Sequence, residues 1–548
     1  MSYYTPFEKP SGSAPIAEIP CAERRDLLAG VPLYGVESDA PIADVFCTTH
    51  FNTPDDAYTL TNGVTHAELD FKDPAFTHFT GGTGRSIYYK LNNLSAVDAF
   101  SVVMLKQREV GIFLPYRMDV HLSENGKEWK RVFTKRIFES ESEHCMVPLD
   151  VTLDVTLDKT YRASWIRFDF DVHAHMWVES VSLYGKTVLD GASVIEDDGF
   201  ASKGDERVVD RYPTYDELCG VHNIFLAYNC MPLTFENQNA GYFTEEQMLP
   251  YLGYIKDGEI KDTFFDSALF LPFSRFTYSA QYKSADGWKY YIDNTFAEGK
   301  NVDAADAAAK KVSETLGIDY KVKLFFSIFH TKPEYGEFPE KFGDLDGDGI
   351  DENFACIEDR KKAIKWMIDE QIKRYKQKER PYTELIGFYW FEEQVSYNDP
   401  MELELIRYAG DYVRSLGYKL IWIPYYQAWG YDEWKSHGFD VACMQPNYAF
   451  HKDAKKQRLY DNADLCKKFG LCYELEIAGI HDPFDVHKYK NYLEAGVETG
   501  FMHSIKMYYQ GGKDFYSAFC SDNKLTHSVY DDTYLFAKEK LVKAYREE

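Results

Sequence analysis

Hydrophobic and polar positions change rhythm along this chain. From about Val45 to Lys186 they alternate in short runs separated by turn signals, as in Arg117-Met118-Asp119-Val120-His121-Leu122-Ser123 followed by Glu124-Asn125-Gly126-Lys127. That rhythm predicts an all-β sandwich. Residues 1–40 hold Pro, Gly and Ala without sustained periodicity and read as a lead-in segment that packs on something else. After a polar stretch, Glu196 to Tyr215, apolar strands alternate with amphipathic helices, the order of parallel βα units. Eight strands are expected, at about Asn223 to Cys230, Thr263 to Phe273, Lys321 to His330, Leu385 to Phe391, Lys419 to Tyr426, Val441 to Asn447, Leu471 to Ile477 and Met502 to Tyr509. Helices are expected between them, with a final one from about Thr533 to Arg546.

Eight such units over roughly 330 residues match a (β/α)8 TIM barrel with insertions. A doubly wound open sheet normally carries a glycine-rich first turn, and none follows Cys230. The expected organisation is therefore multidomain: a lead-in segment over 1–40, a β-sandwich over 41–195, a linker over 196–220, and a barrel over 221–548.

In a barrel of this kind chemistry sits at the carboxyl ends of the strands. In the seventh, Leu471-Cys472-Tyr473-Glu474-Leu475-Glu476-Ile477, every odd-numbered residue is apolar, so Cys472, Glu474 and Glu476 face inward. Two buried carboxylates cost several kcal/mol unless paired or hydrogen-bonded, which favours a functional placement. The bland alternative is a structural ion pair with Lys506 of the eighth strand. The fourth strand is apolar on both faces and ends in Glu392-Glu393, so alternation leaves open which of the two points into the barrel mouth. Carboxylates on strands four and seven can flank a glycosidic bond, one protonating the leaving oxygen while the other attacks the anomeric carbon or activates water.

Other strand ends supply amides and aromatic rings suited to a neutral, hydroxyl-rich ligand: Tyr228, Asn229, Arg275, His330, Trp390, Tyr426, Gln427, Trp429, Gln445, Asn447 and Tyr508. The run Asp344-Leu345-Asp346-Gly347-Asp348-Gly349 opens like a calcium loop, but its twelfth position is Ala355, leaving Asp351 or Glu352 to substitute. A structural Ca²⁺ on Asp344, Asp346 and Asp348 is weighed there against a solvated acidic turn, and no cofactor is required for catalysis. His481-Asp482, Asp485 and His487 read as loop residues and a helix N-cap rather than a metal cluster.

At this point the chain resembles three families. The Glu392-Glu393 strand end and the glutamates of strand seven are similar to the clan of (β/α)8 glycoside hydrolases with glutamates on strands four and seven. There an Asn-Glu pair closes strand four, so the resemblance implies Glu393 as acid/base, with Glu392 in the place of the usual Asn. It implies Glu476 as nucleophile, Glu474 and Glu392 as tuning neighbours, and retention of anomeric configuration. More closely, Gly387-Phe388-Tyr389-Trp390 and Tyr473-Glu474-Leu475-Glu476-Ile477 resemble the bacterial family called domain of unknown function 4855, which implies the barrel and glycosidase chemistry. Further upstream, Tyr116 to Val132, Ala163 to Phe168 and Val178 to Gly185 resemble discoidin-like, galactose-binding jelly rolls over about 140 residues. Such modules bind sugar or brace a neighbour, and Trp177, His173 and His175 are the residues to watch.

Composition narrows the partners. A net charge of −27 opposes nucleic acid or an anionic membrane and leaves an oligo- or polysaccharide as the expected partner. Aromatics reach 16%, which suits stacking on sugars as well as filling cores. No apolar stretch approaches the roughly 18 residues of a membrane span and no signal peptide is visible, so a cytoplasmic location is expected, or secretion if a leader was trimmed. The ten Cys lack CxxC pairs, and Cys230, Cys443, Cys466 and Cys472 fall in predicted elements as reduced, buried thiols. The expected barrel strands show no His-x-His pair, and no phosphate loop or GxSxG elbow occurs. The alternatives to a glycoside hydrolase are a non-catalytic carbohydrate-binding protein with an inactive barrel, and a metal-assisted hydrolase built on His330. The sequence sets no oligomeric state.

Overall fold

The computed structural model describes residues 3–6, 19–38, 57–80, 85–107, 110–115, 117–136, 148–170, 172, 175–194, 207–331, 342–396 and 399–546. The chain divides into two compact units, Met1–Gly204 with Ser396–Pro400, and Asp205–Val395 with Met401–Glu548.

The first unit is rich in antiparallel sheet. Its spine is the strand Arg85–Lys106, which pairs along its length with Leu149–Phe170. On its other side it changes partner, taking Leu33–Ser38 at its start and His175–Lys186 beyond Ala96. The alternation read around residue 120 is observed: Met118, Val120 and Leu122 of Arg117–Ser123 are fully buried in a core shared with Phe100, Ile166 and Phe168. The predicted turn follows, with the Asn125 carboxamide oxygen accepting the amides of Lys127 at 2.8 Å and Glu128 at 2.9 Å. Gly126 has φ +72° there, and a Cβ would stand 2.7 Å from the Trp165 ring, so only glycine fits. Tyr3–Pro6, Arg25–Asp26 and Leu33–Ser38 of the lead-in segment are strands of this same sheet. Tyr116 and His173 lie outside the described residues, as do positions 195–206 of the expected linker.

The second unit is a closed barrel of eight parallel strands: Asn223–Asn229, Ser267–Pro272, Val322–Ile328, Thr383–Trp390, Lys419–Trp422, Val441–Met444, Cys472–Glu476 and Lys506–Tyr509. Closure joins the first to the last, with Asn223 opposite Lys506 and Phe225 opposite Tyr508. Helices occupy the connections, among them Val302–Leu316, Ile357–Lys376, Glu402–Ser415, Gln457–Phe469 and Pro483–Thr499. The interior is filled by alternate residues, such as Leu226, Leu269, Phe325, Ile421, Cys443, Cys472 and Met507. Leu218, near the end of the expected linker, and Val221, the first residue of the expected barrel domain, join this cluster.

Three sequence expectations shift. The apolar run predicted as one strand from Thr263 is split, because Glu259–Thr263 pairs with Gly253–Lys256 in a separate hairpin and the barrel strand begins at Ser267. The final helix is Lys524–Ala537 rather than Thr533 to Arg546: the Asn523 side chain caps its start by accepting the Thr526 amide at 3.0 Å, and Glu539, at φ +59°, breaks the helical backbone beyond its end. In strand four the register shifts at Ile386, so Ile386 and Tyr389 both reach the interior cluster although they stand three positions apart. Among the described residues no helix is long and apolar enough to cross a membrane. Cys230, Cys443, Cys466 and Cys472 are buried free thiols.

Candidate active site

A cavity of about 620 Å³ opens where the barrel strands end, and every strand or the segment after it contributes to its wall. Beyond the bulge in strand four, Tyr389, Phe391 and Glu393 continue on the inner face. The strand ends at Trp390, the chain turns, and both Glu392 and Glu393 line the cavity. Strand five pins that turn: the Trp422 indole donates to the Glu392 carbonyl at 2.6 Å, and the Tyr425 amide donates to the Glu393 carbonyl at 3.1 Å. Glu474 enters from strand seven, and Tyr228 and Tyr509 from strands one and eight, their rings edge to face at 5.5 Å.

The two inward glutamates of strand seven part company. Glu474, 2% exposed, lines the cavity. Glu476 is outside the cavity lining: its carboxylate accepts the Tyr492 hydroxyl, from helix Pro483–Thr499, and the Asn447 amide at 3.2 Å. The expected nucleophile thus sits between helix Pro483–Thr499 and Asn447, which itself lines the cavity. Neither glutamate takes Lys506 as a hydrogen-bonding partner, whose ammonium donates to the carbonyls of Met502 at 2.6 Å and Ser504 at 2.7 Å.

Enclosure sets the protonation of these groups. Burial raises Glu474 far above the usual carboxylate range, and repulsion from Glu476 and Glu393 adds to it. Burial pushes Glu476 up to about 7, against the Tyr492 and Asn447 hydrogen bonds that pull it down. Glu393 is exposed to the cavity yet ringed by protein atoms; that enclosure raises its carboxyl, and a hydrogen bond from Gln445 works in the opposite direction. The Gln445 side chain also donates to the Ile423 carbonyl at 3.1 Å, which fixes its orientation. Both Glu393 and Glu474 are thus biased toward holding a proton, which favours one acid and one base in a single site.

Of the other expected residues, Tyr228, His330, Gln445 and Asn447 line the cavity. Asn229 faces outward and donates to the Thr295 hydroxyl at 2.8 Å, one residue out of phase with Tyr228. Tyr508 is likewise out of phase with Tyr509 and donates to the Asn223 side chain at 2.8 Å. Trp390 is buried on the outer face of strand four. Tyr426 is buried with the Arg458 guanidinium 5.4 Å from its ring centre. Arg275 is exposed over the Phe235 ring at 5.0 Å, while Gln427 and Trp429 are half-buried, all three away from the cavity wall. Sequence reasoning missed Ser274, Thr277, Tyr278, Tyr282 and Lys283, which follow strand two, and Phe450, which follows strand six. The aromatic residues there were the available signal.

Outside the barrel mouth, Asp344, Asp346 and Asp348 each bring a carboxylate oxygen within 4.8 Å of the others. Asp344 accepts the amides of Gly347 at 2.6 Å and Gly349 at 2.8 Å, and the Lys362 ammonium reaches Asp346 at 3.1 Å, Asp348 at 2.8 Å and Glu352 at 2.8 Å. Asp482 caps helix Pro483–Thr499 by accepting the Phe484 amide at 2.9 Å. In the first unit, His78 stacks on Trp177 at 3.7 Å and its ring nitrogen meets that of His175 at 3.1 Å.

Fold and site together define a closed parallel barrel with an acidic, aromatic-walled cavity at the carboxyl ends of its strands. The chain belongs to the family described as Domain of unknown function (DUF4855), whose model matches residues 223–535. No curated protein matches it. Among solved structures, the sheet-rich N-terminal region is similar to a module from Clostridium perfringens in complex with GalNAc-β-1,3-galactose, at 11% identity and TM-score 0.20, covering 29% of this chain and 99% of that one. The family 32 carbohydrate-binding module from Streptococcus pneumoniae EndoD is 14% identical, with TM-score 0.20, covering 30% of this chain and 100% of that one. The C-terminal domain of a chitobiase from Bacteroides fragilis is 15% identical, with TM-score 0.18, covering 24% of this chain and 81% of that one.

Proposed function

We propose that this protein is a glycoside hydrolase whose (β/α)8 barrel cleaves an oligo- or polysaccharide with Glu393 and Glu474, its N-terminal unit being a discoidin-like sandwich. One observation carries this reading: glutamates from strands four and seven meet in one aromatic-walled cavity, both with carboxyls held above their ordinary range. Glu393 is the acid/base, in keeping with the clan resemblance, and protonates the leaving oxygen. Glu474 opposes it and, in its ionised form, attacks the anomeric carbon, with retention of configuration. Glu476 acts through Glu474, by repulsion from behind the cavity wall. No metal takes part in the reaction.

The test is turnover of a panel of polysaccharides and 4-nitrophenyl glycosides by the full chain. Glu393→Gln and Glu474→Gln are each expected to lower kcat by about 10²- to 10⁴-fold with melting temperatures preserved. Glu476→Gln is expected to keep measurable activity. Unchanged turnover in the first two variants rejects the assignment. Binding of a glycan without turnover by the wild type identifies a non-catalytic carbohydrate-binding barrel, and activity lost to a chelator and restored by a transition metal identifies a metal-assisted hydrolase.

A further inference from the structure

The cavity wall holds a third carboxylate that the pair does not use. His330 Nδ1 lies 3.4 Å from Glu392 Oε2, and its Nε2 lies 2.9 Å from Glu402 Oε2, on helix Glu402–Ser415. Arg360, from helix Ile357–Lys376, brings Nη2 within 3.9 Å of the same Glu402 oxygen, and its Nε donates to the Thr331 hydroxyl at 3.1 Å. Glu402 and Arg360 are 0% and 1% exposed, and His330 is 7% exposed. Charges therefore alternate from the helix layer to the cavity: Arg360, Glu402, His330, Glu392.

A neutral imidazole has one N–H and can donate to one side only, whereas an imidazolium donates from both nitrogens. His330 stands between two carboxylates, so the arrangement calls for the doubly protonated ring. We propose that His330 is a positioning residue: clamped by Glu402, its imidazolium holds Glu392 as a fixed anionic acceptor in the cavity wall, which recognises a sugar hydroxyl beside the bond that Glu393 protonates. The assignment of the hydroxyl rests on the glycosidase reading; the clamp does not. Electrostatics agree with the geometry. Burial alone lowers the affinity of His330 for a proton and Arg360 opposes it further, but Glu402 and then Glu392 outweigh them and raise it above its ordinary value. The remaining groups around the ring leave that balance unchanged: the Tyr282 hydroxyl meets the His330 main chain, and Trp390 stands edge-on at 6.1 Å.

Neighbouring glutamates thereby stand in different surroundings: burial biases Glu393 toward its protonated form, while Glu392 faces the His330 ring. The substrate must then present a donor to Glu392.

Two measurements on the full chain test this. Ring resonances of ¹³C-labelled histidine, assigned by loss of one signal in His330→Gln, follow the His330 titration. It is expected above the ordinary value of about 6.5, and Glu392→Gln is expected to move it down. On whichever 4-nitrophenyl glycoside or polysaccharide the wild type cleaves, His330→Gln and Glu392→Gln are each expected to lower kcat/KM by about 10- to 100-fold, mainly through KM. The double variant is expected to be no worse than Glu392→Gln alone. A His330 titration at or below about 6.5, or one unmoved by Glu392→Gln, overturns the clamp, as do single effects that multiply in the double variant. If the wild type cleaves no glycan, the glycosidase reading falls while the titration still judges the clamp.

Discussion

The Tyr492 hydroxyl donates to Glu476, the last residue of strand seven, two residues beyond the Glu474 that lines the cavity. The same face of one strand thus delivers one glutamate to the cavity wall and one to the helix layer behind it.

That division predicts a pH-dependent stability. The Glu476 carboxyl is raised to about 7 in the folded chain, so folding is favoured while it holds its proton. The contribution is fully present below the unfolded value of about 4.3 and is lost as pH rises through about 7, amounting to roughly 3 kcal/mol. Melting temperature is expected to fall across this window in the wild type and to fall less steeply in Glu476→Gln. Equal slopes by calorimetry contradict this assignment.

At the cavity rim, Tyr278 is 88% exposed and Phe450 46% exposed, with Phe450 edge-on to Tyr509 at 5.3 Å. Rings placed so far out stack on parts of a ligand remote from the reacting bond. Tyr278→Ala and Phe450→Ala are each expected to raise KM by about 2- to 10-fold with kcat unchanged. A fall in kcat at constant KM places these rings nearer the chemistry than the structure does.

Lys362 supplies the positive charge among Asp346, Asp348 and the buried Glu352. Lys362→Ala leaves Glu352 without its ammonium and is expected to cost about 1–3 kcal/mol. Because the ammonium already serves these carboxylates, the melting temperature of the wild type is expected to be the same with calcium and with a chelator, while calcium raises that of Lys362→Ala. A rise of several degrees in the wild type on adding calcium shows that the metal displaces the lysine.

Gly387 sits just after the bulge in strand four, where a Cβ would stand 2.3 Å from the Lys419 carbonyl oxygen. Gly387→Ala must push strands four and five apart directly beneath Glu392 and Glu393. Denaturant unfolding is expected to show a loss of about 1–3 kcal/mol, with turnover reduced as well. An unaffected midpoint shows that the strands give way freely.

Much of this was legible in the residues. The order of strands and helices beyond His222 follows from period, and the inward face of strand seven follows from the apolar odd positions between Leu471 and Ile477. The bulge at Ile386 was not legible, because a strand buried on both faces carries no alternation in which an extra residue would show. Nor was the choice between Tyr508 and Tyr509, or between Asn229 and Tyr228, since polar aromatics and amides occupy both faces at strand ends. The row from Arg360 to Glu392 joins two helices and two strand ends far apart in the chain. Its members are individually ordinary charges, so only the fold assembles them.

Closure of the barrel through Asn223–Asn229 and Lys506–Tyr509 has a consequence for synthesis. The first strand leaves the ribosome with one edge unmatched, and that edge stays open until the last strand has been made. Nascent chains stalled anywhere between the two carry an unpaired sheet edge, which makes them natural clients for a chaperone.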